Sequence, residues 1–326
     1  MPESLEKFAL SQKIAKQGLI HKVGLFGCGE LGQEVTRMVS QAGIEVVFVE
    51  TGEQQIAEAM RQIQKQLDEM INRWGLTQGD KRVILSRIKG TTDLNLISNC
   101  DLIIETISSS NPLHDRIELF RRIEDYVSPE TPITSSVTTL MITDIAAGMK
   151  YPERALGLNF FASPSLLRIV EVMCGVYTNE QSHNLVSRFA KMIGKTPITV
   201  NESPGSVSSR LIITLINEAC STLAEGVSSV ENIDNIMKHG FGMQHGPLEL
   251  ADRIGLDKIL RYTNHLFNEF SLPKFKASPL IKRLVRAKHV GIKSGKGFYV
   301  YDDAGNKTGM NVQATQIVSP ETIKIL

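Results

Sequence analysis

Gly27, Gly29 and Gly32 in the string GCGELG fall on the G-x-G-x-x-G spacing of a dinucleotide-binding turn, and Glu50 closes the next apolar run. Such a turn works through its backbone. Gly27 permits a sharp exit from a strand, Gly29 leaves room for a pyrophosphate, and Gly32 lets the following helix pack close to the sheet. The phosphates then rest on the helix N-terminus, where unpaired amides and the positive end of the helix dipole face them. That makes Cys28, Glu30 and Leu31, which lie between the glycines, part of the expected cofactor site. Glu50 is placed to accept hydrogen bonds from the adenosine ribose hydroxyls, and its carboxylate repels the extra phosphate of NADP, so NAD is the expected cofactor.

The elements that must hold these residues surround them. Val23, Leu25 and Phe26 form a short apolar strand leading into the turn. After it Leu31, Val35, Met38, Val39 and Ala42 recur at helical spacing, Gly43 supplies a stop, and 44–49 is a β-branched and aromatic run of strand length. A long helix is expected over 56–74, with Ile56, Met60, Ile63, Leu67, Met70 and Ile71 on one face. Strand candidates recur at 101–105, 132–135, 154–158, 168–173 and 197–200, most of them separated by helical patterns. This alternation predicts an α/β fold of Rossmann type, a mostly parallel sheet with helices on both faces.

The pattern changes after Glu202-Ser203-Pro204-Gly205. Helical periodicity dominates 211–224, 233–238, 247–254 and 256–270, predicting an all-helical C-terminal domain. The expected organisation is an N-terminal helical arm at 1–20 carrying Leu5, Phe8, Ala9, Ile14 and Ala15, a NAD-binding domain at 21–201, a helical substrate and dimerisation domain at 202–302, and a C-terminal tail at 303–326. The polar stretch from 308 onward reads equally as a tail or as a strand on a partner.

At 326 residues and 42% hydrophobic content the chain supplies well-buried cores for two domains. A net charge of +1 gives no global electrostatic case for nucleic acid or an anionic membrane surface. The basic cluster Lys282, Arg283, Arg286 and Lys288 reads as a solvated helix face. Cys28, Cys100, Cys174 and Cys220 lack C-x-x-C or metal-ligand spacing and are expected as buried reduced thiols. With no export signal and no long apolar run, a cytoplasmic protein is expected.

Further strings extend beyond a generic turn: CDLIIET at 100–106, YPERALGLNFF at 151–161, IVEVM at 169–173, GKTPITVNESPG at 194–205, HGPLELADRIGLD at 245–257 and GIKSGKGFYVYD at 291–302. With these the chain resembles the 3-hydroxyacyl-CoA dehydrogenase family, NAD enzymes that oxidise the 3-hydroxyl of an acyl-CoA. The resemblance runs from about Lys22 to Tyr301 and implies a small-molecule substrate, acyl-CoA among the candidates, and pairing of two chains through the helical domain, with Leu211, Ile212, Leu215 and Leu223 as contributors. It also implies a His–Glu pair in which His removes the hydroxyl proton as hydride leaves, with a Ser and an Asn holding the substrate oxygen. His titrates near operating pH, and a neighbouring carboxylate fixes its tautomer and stabilises the imidazolium.

The Glu of that pair falls on Glu171, but the His does not fall on a His. Where the family reads G-L-H-F-F-N-P, this chain has Gly157, Leu158, Asn159, Phe160, Phe161, Ala162 and Ser163. A carboxamide cannot take up a proton at ordinary pH. Thr138 takes the place of the substrate-oxygen Ser, Ser209 precedes Arg210 where the family has Asn, Ala162 replaces an Asn near the cofactor, and Ser108, Ser109 and Ser110 follow Ile107 where the family has an acid. Glu171, Asn159, Thr138 and Ser209 are therefore the candidate catalytic set. The Asn159 amide is placed to donate to Glu171 across the gap an imidazole bridges; either the pair is a structural leftover, or Glu171 acts as base through water on a different hydroxy compound.

By the same resemblance Lys293 in GIKSGKG matches a lysine that reaches the cofactor, against a solvated lysine in a glycine-rich turn. Arg116 matches a basic cofactor contact, against an exposed arginine on the first turns of a helix. His245 is a second candidate base, against a surface or helix-cap histidine. Two functions stay open: an NAD-dependent oxidoreductase with an altered site, and a pseudoenzyme that binds NAD and acyl-CoA without turnover.

Overall fold

The computed structural model describes residues 20–72, 75–108, 112–137, 139–160, 164 and 168–311. Nearly all of the expected N-terminal arm, the stretch from 312 onward, and Thr138 and Ala162 lie outside the described residues. The chain forms two compact units, divided between Ser203 and Pro204.

In the first unit the β-branched runs become strands: β1 (Lys22–Phe26), β2 (Glu45–Val49), β3 (Ile88–Thr91), β4 (Leu102–Glu105), β5 (Ile133–Ser135), β6 (Ala155–Asn159), β7 (Ile169–Cys174) and β8 (Thr196–Asn201). They form one eight-stranded sheet in the order β3-β2-β1-β4-β5-β6-β7-β8. Its neighbouring pairs are parallel except β6 with β7, which is antiparallel. The helices are α1 (Glu30–Gln41), α2 (Glu53–Asn72), α3 (Gln78–Ser86), α4 (Pro112–Glu124), α5 (Ile142–Ala146) and α6 (Glu180–Met192).

The side-chain period of two explains why the central strands β1, β2 and β4 are apolar at consecutive positions. Val46 and Phe48 join Val35 and Val39 of α1, Ile63 and Leu67 of α2 and Phe189 of α6 in one core. Val47 and Val49 join Phe120 and Ile123 of α4 and Ile145 of α5 in the other. A sheet covered on both faces needs apolar residues at consecutive positions. The strand β3 escapes sequence reading because IKGT offers only Ile88 and Thr91 to the interior. Pairing with β2 makes it a strand, and a Cβ on Gly90 would meet Phe48 and Ile56.

The second unit holds α7 (Val207–Ala224), α8 (Val230–Asn235), α9 (Pro247–Ile254), α10 (Leu256–Phe270) and α11 (Pro279–Arg286). It is not purely helical: β9 (Tyr299–Tyr301) pairs antiparallel with β10 (Lys307–Met310). Part of the expected tail is thus a strand on its own chain. The four residues of β10 are exposed, so no hydrophobic period marks them. Buried Asp252 ties β9 to α9 by accepting from the Phe298 and Tyr299 amides at 2.9 Å each and from the Tyr301 hydroxyl at 3.0 Å.

Two further expectations are corrected. Leu223 is buried inside its own unit and is not available to a partner, whereas Leu211 on the same helix is 66% exposed. Cys174 is only partly buried, while Cys28, Cys100 and Cys220 are buried free thiols. Among the described residues no helix is long and apolar enough to cross a membrane.

Candidate functional site

The strand register lines up the carboxyl edge of the sheet. Thr91, Val49, Phe26, Glu105, Ser135 and Gly157 pair in succession across β3, β2, β1, β4, β5 and β6. In an open parallel sheet this edge is where ligands bind, at the point where strand order reverses, here between β1 and β4.

The glycine turn leaves β1 at that point. Gly27 sits at φ 81°, and a Cβ there would lie 2.7 Å from Ile107 Cγ1. Gly32 leaves no room for a side chain, since a Cβ would run into the Gly27 carbonyl and lie 2.8 Å from the Thr106 hydroxyl. A Cβ on Gly29 would meet no atom within 4 Å. The turn is thus closed where it packs, at Gly27 and Gly32, and open at Gly29. Gly29 caps α1 without a side-chain hydrogen bond, and the helical ladder starts with Gln33 N–H to the Gly29 carbonyl at 2.8 Å. The earlier amides of the helix are those a helix leaves for an outside acceptor. Glu30 is exposed and Leu31 partly so.

Glu50, just past β2, accepts the Cys28 backbone N–H through Oε1. The carboxylate therefore braces the turn, and a carboxylate retains further acceptor sites. Cys28 takes part through its backbone only. Its thiol is buried beside the Thr36 hydroxyl at 3.8 Å, and burial pushes it up to about 12.

Arg116 is neither exposed nor isolated: it is 5% exposed on α4 and its Nε donates to Glu105 Oε2 at 2.9 Å. That excludes the solvated-arginine alternative. Thr106 and Ile107, which wall the turn, and Glu105 and Ser135 behind them were not read as site residues from sequence. The usable signal was the acid ending the apolar run LIIE, the same signal that marked Glu50.

Asn159 is the last residue of β6, two positions beyond the aligned row, and its register partner is Glu171 on β7. Because β7 runs antiparallel, its N-terminal end lies at the carboxyl edge of the parallel strands, which brings Glu171 there. The Asn159 amide Nδ2 donates to Glu171 Oε2 at 2.6 Å, and both residues are 3% exposed.

The remaining candidates lie in the second unit. Ser209 is buried on α7, 3.4 Å from the Ser206 hydroxyl that bonds to it. Lys293 forms an ion pair with Asp257 at 2.7 Å, both partly exposed. His245 Nδ1 lies 2.9 Å from Glu249 Oε1. Burial lowers the His245 pKa, with Arg253 adding to the shift. Glu249 also takes Arg253 and Lys307, so His245 belongs to a charge cluster around one acid.

Comparison with known proteins follows the two units. Residues 22–203 match the family described as 3-hydroxyacyl-CoA dehydrogenase, NAD binding domain, and 205–301 match the 3-hydroxyacyl-CoA dehydrogenase C-terminal domain. The 3-hydroxybutyryl-CoA dehydrogenase of Clostridioides difficile is 33% identical over 281 residues, covering 86% of this chain and 99% of that protein. Among solved structures, FadB2 of M. tuberculosis superposes with a TM-score of 0.81 at 30% identity, covering 87% of this chain and 99% of that one. The (S)-3-hydroxybutyryl-CoA dehydrogenase PaaH1 of Ralstonia eutropha gives 0.77 at 34%, covering 87% and 100%.

Proposed function

Because the chain belongs to the 3-hydroxyacyl-CoA dehydrogenase family, whose cofactor is NAD, we propose that it is an NAD-dependent oxidoreductase acting on a 3-hydroxyacyl-CoA or related hydroxy compound, with an amide in place of the proton-accepting imidazole. The observation that carries this reading is the Asn159–Glu171 hydrogen bond at the ligand-binding edge of the sheet, 2.6 Å long and buried. NAD, when bound, supplies the hydride acceptor. The open side of Gly29 and the α1 N-terminus take its pyrophosphate, while Glu50 holds the adenosine ribose and the turn together.

The amide of Asn159 is held by its donation to Glu171, and a carboxamide oxygen can accept a substrate hydroxyl without keeping its proton. Glu171 is the titratable member of the pair, so the proton passes to it by way of water. Losing a positioned base costs about a hundred- to ten-thousand-fold in rate. Turnover of acetoacetyl-CoA with NADH is therefore expected to be slow, and an Asn159→His variant is expected to raise it by at least about a hundredfold.

A second reading, a protein that holds NAD and acyl-CoA without chemistry, is favoured by the fact that no amide can act as base. NADH binding by fluorescence, run beside the absorbance assay, separates the two: binding without turnover, with turnover gained in Asn159→His, supports the holder. Silence in the variant as well removes both the base argument and Glu171. Two copies pair through the face of α7 that carries Val207 and Leu211, 50% and 66% exposed and four residues apart. Sedimentation of a Leu211→Glu variant as a monomer is the expected result.

A further inference from the structure

Where β4 ends at Glu105, the chain leaves the sheet and its backbone groups lose strand partners. Thr106 still donates to the Phe26 carbonyl at 2.9 Å, but Ile107 lies beyond the ladder. Side chains take over there. Glu105 Oε1 accepts the Ile107 N–H at 2.6 Å, and Arg116 Nη2 donates to the Ile107 carbonyl. Arg116 Nε closes the ring on Glu105 Oε2, which also accepts from the Ser135 hydroxyl. Both polar groups of one peptide residue are thus held by a buried ion pair.

Ile107 is the residue that bears on Gly27: a Cβ on Gly27 would lie 2.7 Å from its Cγ1 and 3.2 Å from its Cα. The positive φ of Gly27 is the conformation that fits this wall. We infer that Arg116 is a positioning residue for the dinucleotide turn, holding Ile107 through Glu105 so that Gly27 keeps its shape, and not a group that touches the cofactor. The inference rests on NAD binding at this turn.

The arrangement has a chemical signature. Burial pushes the Glu105 carboxyl up, opposed by Arg116, the Ser135 hydroxyl and the Ile107 amide. The group facing it from α4 is Arg116, from β5 Ser135, and from β1 the apolar Phe26. Without the guanidinium a buried carboxylate would stand against Ile107 and Ser135 with no countercharge, and protonation would relieve it.

The test is NADH titration of full-length variants. In Arg116→Gln, affinity is expected to fall by about tenfold or more near pH 8 and to recover at lower pH as Glu105 takes a proton, while the wild type stays flat. In Glu105→Gln with Arg116→Gln, two neutral amides can still serve Ile107, and affinity is expected within about threefold of wild type across the same pH range. If Arg116→Gln does not fold, the double variant alone decides. A double variant about tenfold or more weaker than wild type overturns the inference in favour of direct contact, and an Arg116→Gln variant that binds like wild type overturns it outright. A wild type that binds no NADH sinks the cofactor reading itself.

Discussion

Gly27 and Gly29 are two positions apart and do opposite things. At φ 81° with Ile107 against it, Gly27 answers to backbone geometry, so Gly27→Ala is expected to cost about 1–3 kcal/mol in urea unfolding and to weaken NADH binding with it. Gly29 has ordinary φ and open space, so Gly29→Ala is expected to leave stability within about 0.5 kcal/mol while its methyl obstructs the pyrophosphate. Equal losses of stability in both would contradict this division. Cys28 sits in the same turn, but a thiol pushed up to about 12 has almost no thiolate at neutral pH. Iodoacetamide on the native chain is expected to label the partly buried Cys174 ahead of Cys28, Cys100 and Cys220, read by mass spectrometry.

Among the elements, β7 shows how topology makes a pair from residues 12 apart in sequence. A parallel strand would have placed Glu171 toward the opposite edge; the antiparallel turn of β7 sets it beside Asn159. The Glu of IVEVM and the Asn of GLNFF were both legible, and their direct contact depended on strand direction. The helix α3 buries only Ile84 and so carries little hydrophobic period, although its start is marked locally: Thr77 accepts the Asp80 N–H while the Asp80 carboxylate accepts the Thr77 N–H. Such a box has a stability effect and no role in the site. Thr77→Ala is expected to lower stability by about 1 kcal/mol and leave NADH binding unchanged, and a loss of binding would tie α3 to the site.

At the scale of the whole chain, pH reaches the second unit through a buried acid. Burial pushes Asp252 up to about 7, outweighing the donors from Tyr299, Phe298 and Tyr301. A carboxyl whose folded pKa lies above its unfolded value binds its proton more tightly when folded. Its contribution is full below the ordinary carboxylate range and is lost as pH rises toward and through about 7. Between about pH 6 and 7 the loss is about 1 kcal/mol, expected as a lower unfolding free energy of α9 at the higher pH, read from hydrogen-exchange protection factors corrected for the base-catalysed intrinsic rate. The opposite slope would show that the three donors keep the carboxylate charged.

Local chemistry was readable in order along the chain: a glycine turn needs its three positions and its acid at set spacing, and alternating or helical hydrophobic periods state which face each element must bury. Asn159, where the resemblance leads one to expect a His, is likewise visible in linear order, because it is a matter of residue type. What folding added is long-range. Arg116 reads as a cofactor contact or a solvent-exposed cation until β4 and α4 bring it onto Glu105. The hairpin strand Lys307–Met310 has no apolar period of its own, and gains its conformation from backbone pairing with Tyr299–Tyr301. Hydrogen bonds between distant segments leave no periodic trace, so they emerge only when the chain has closed on itself.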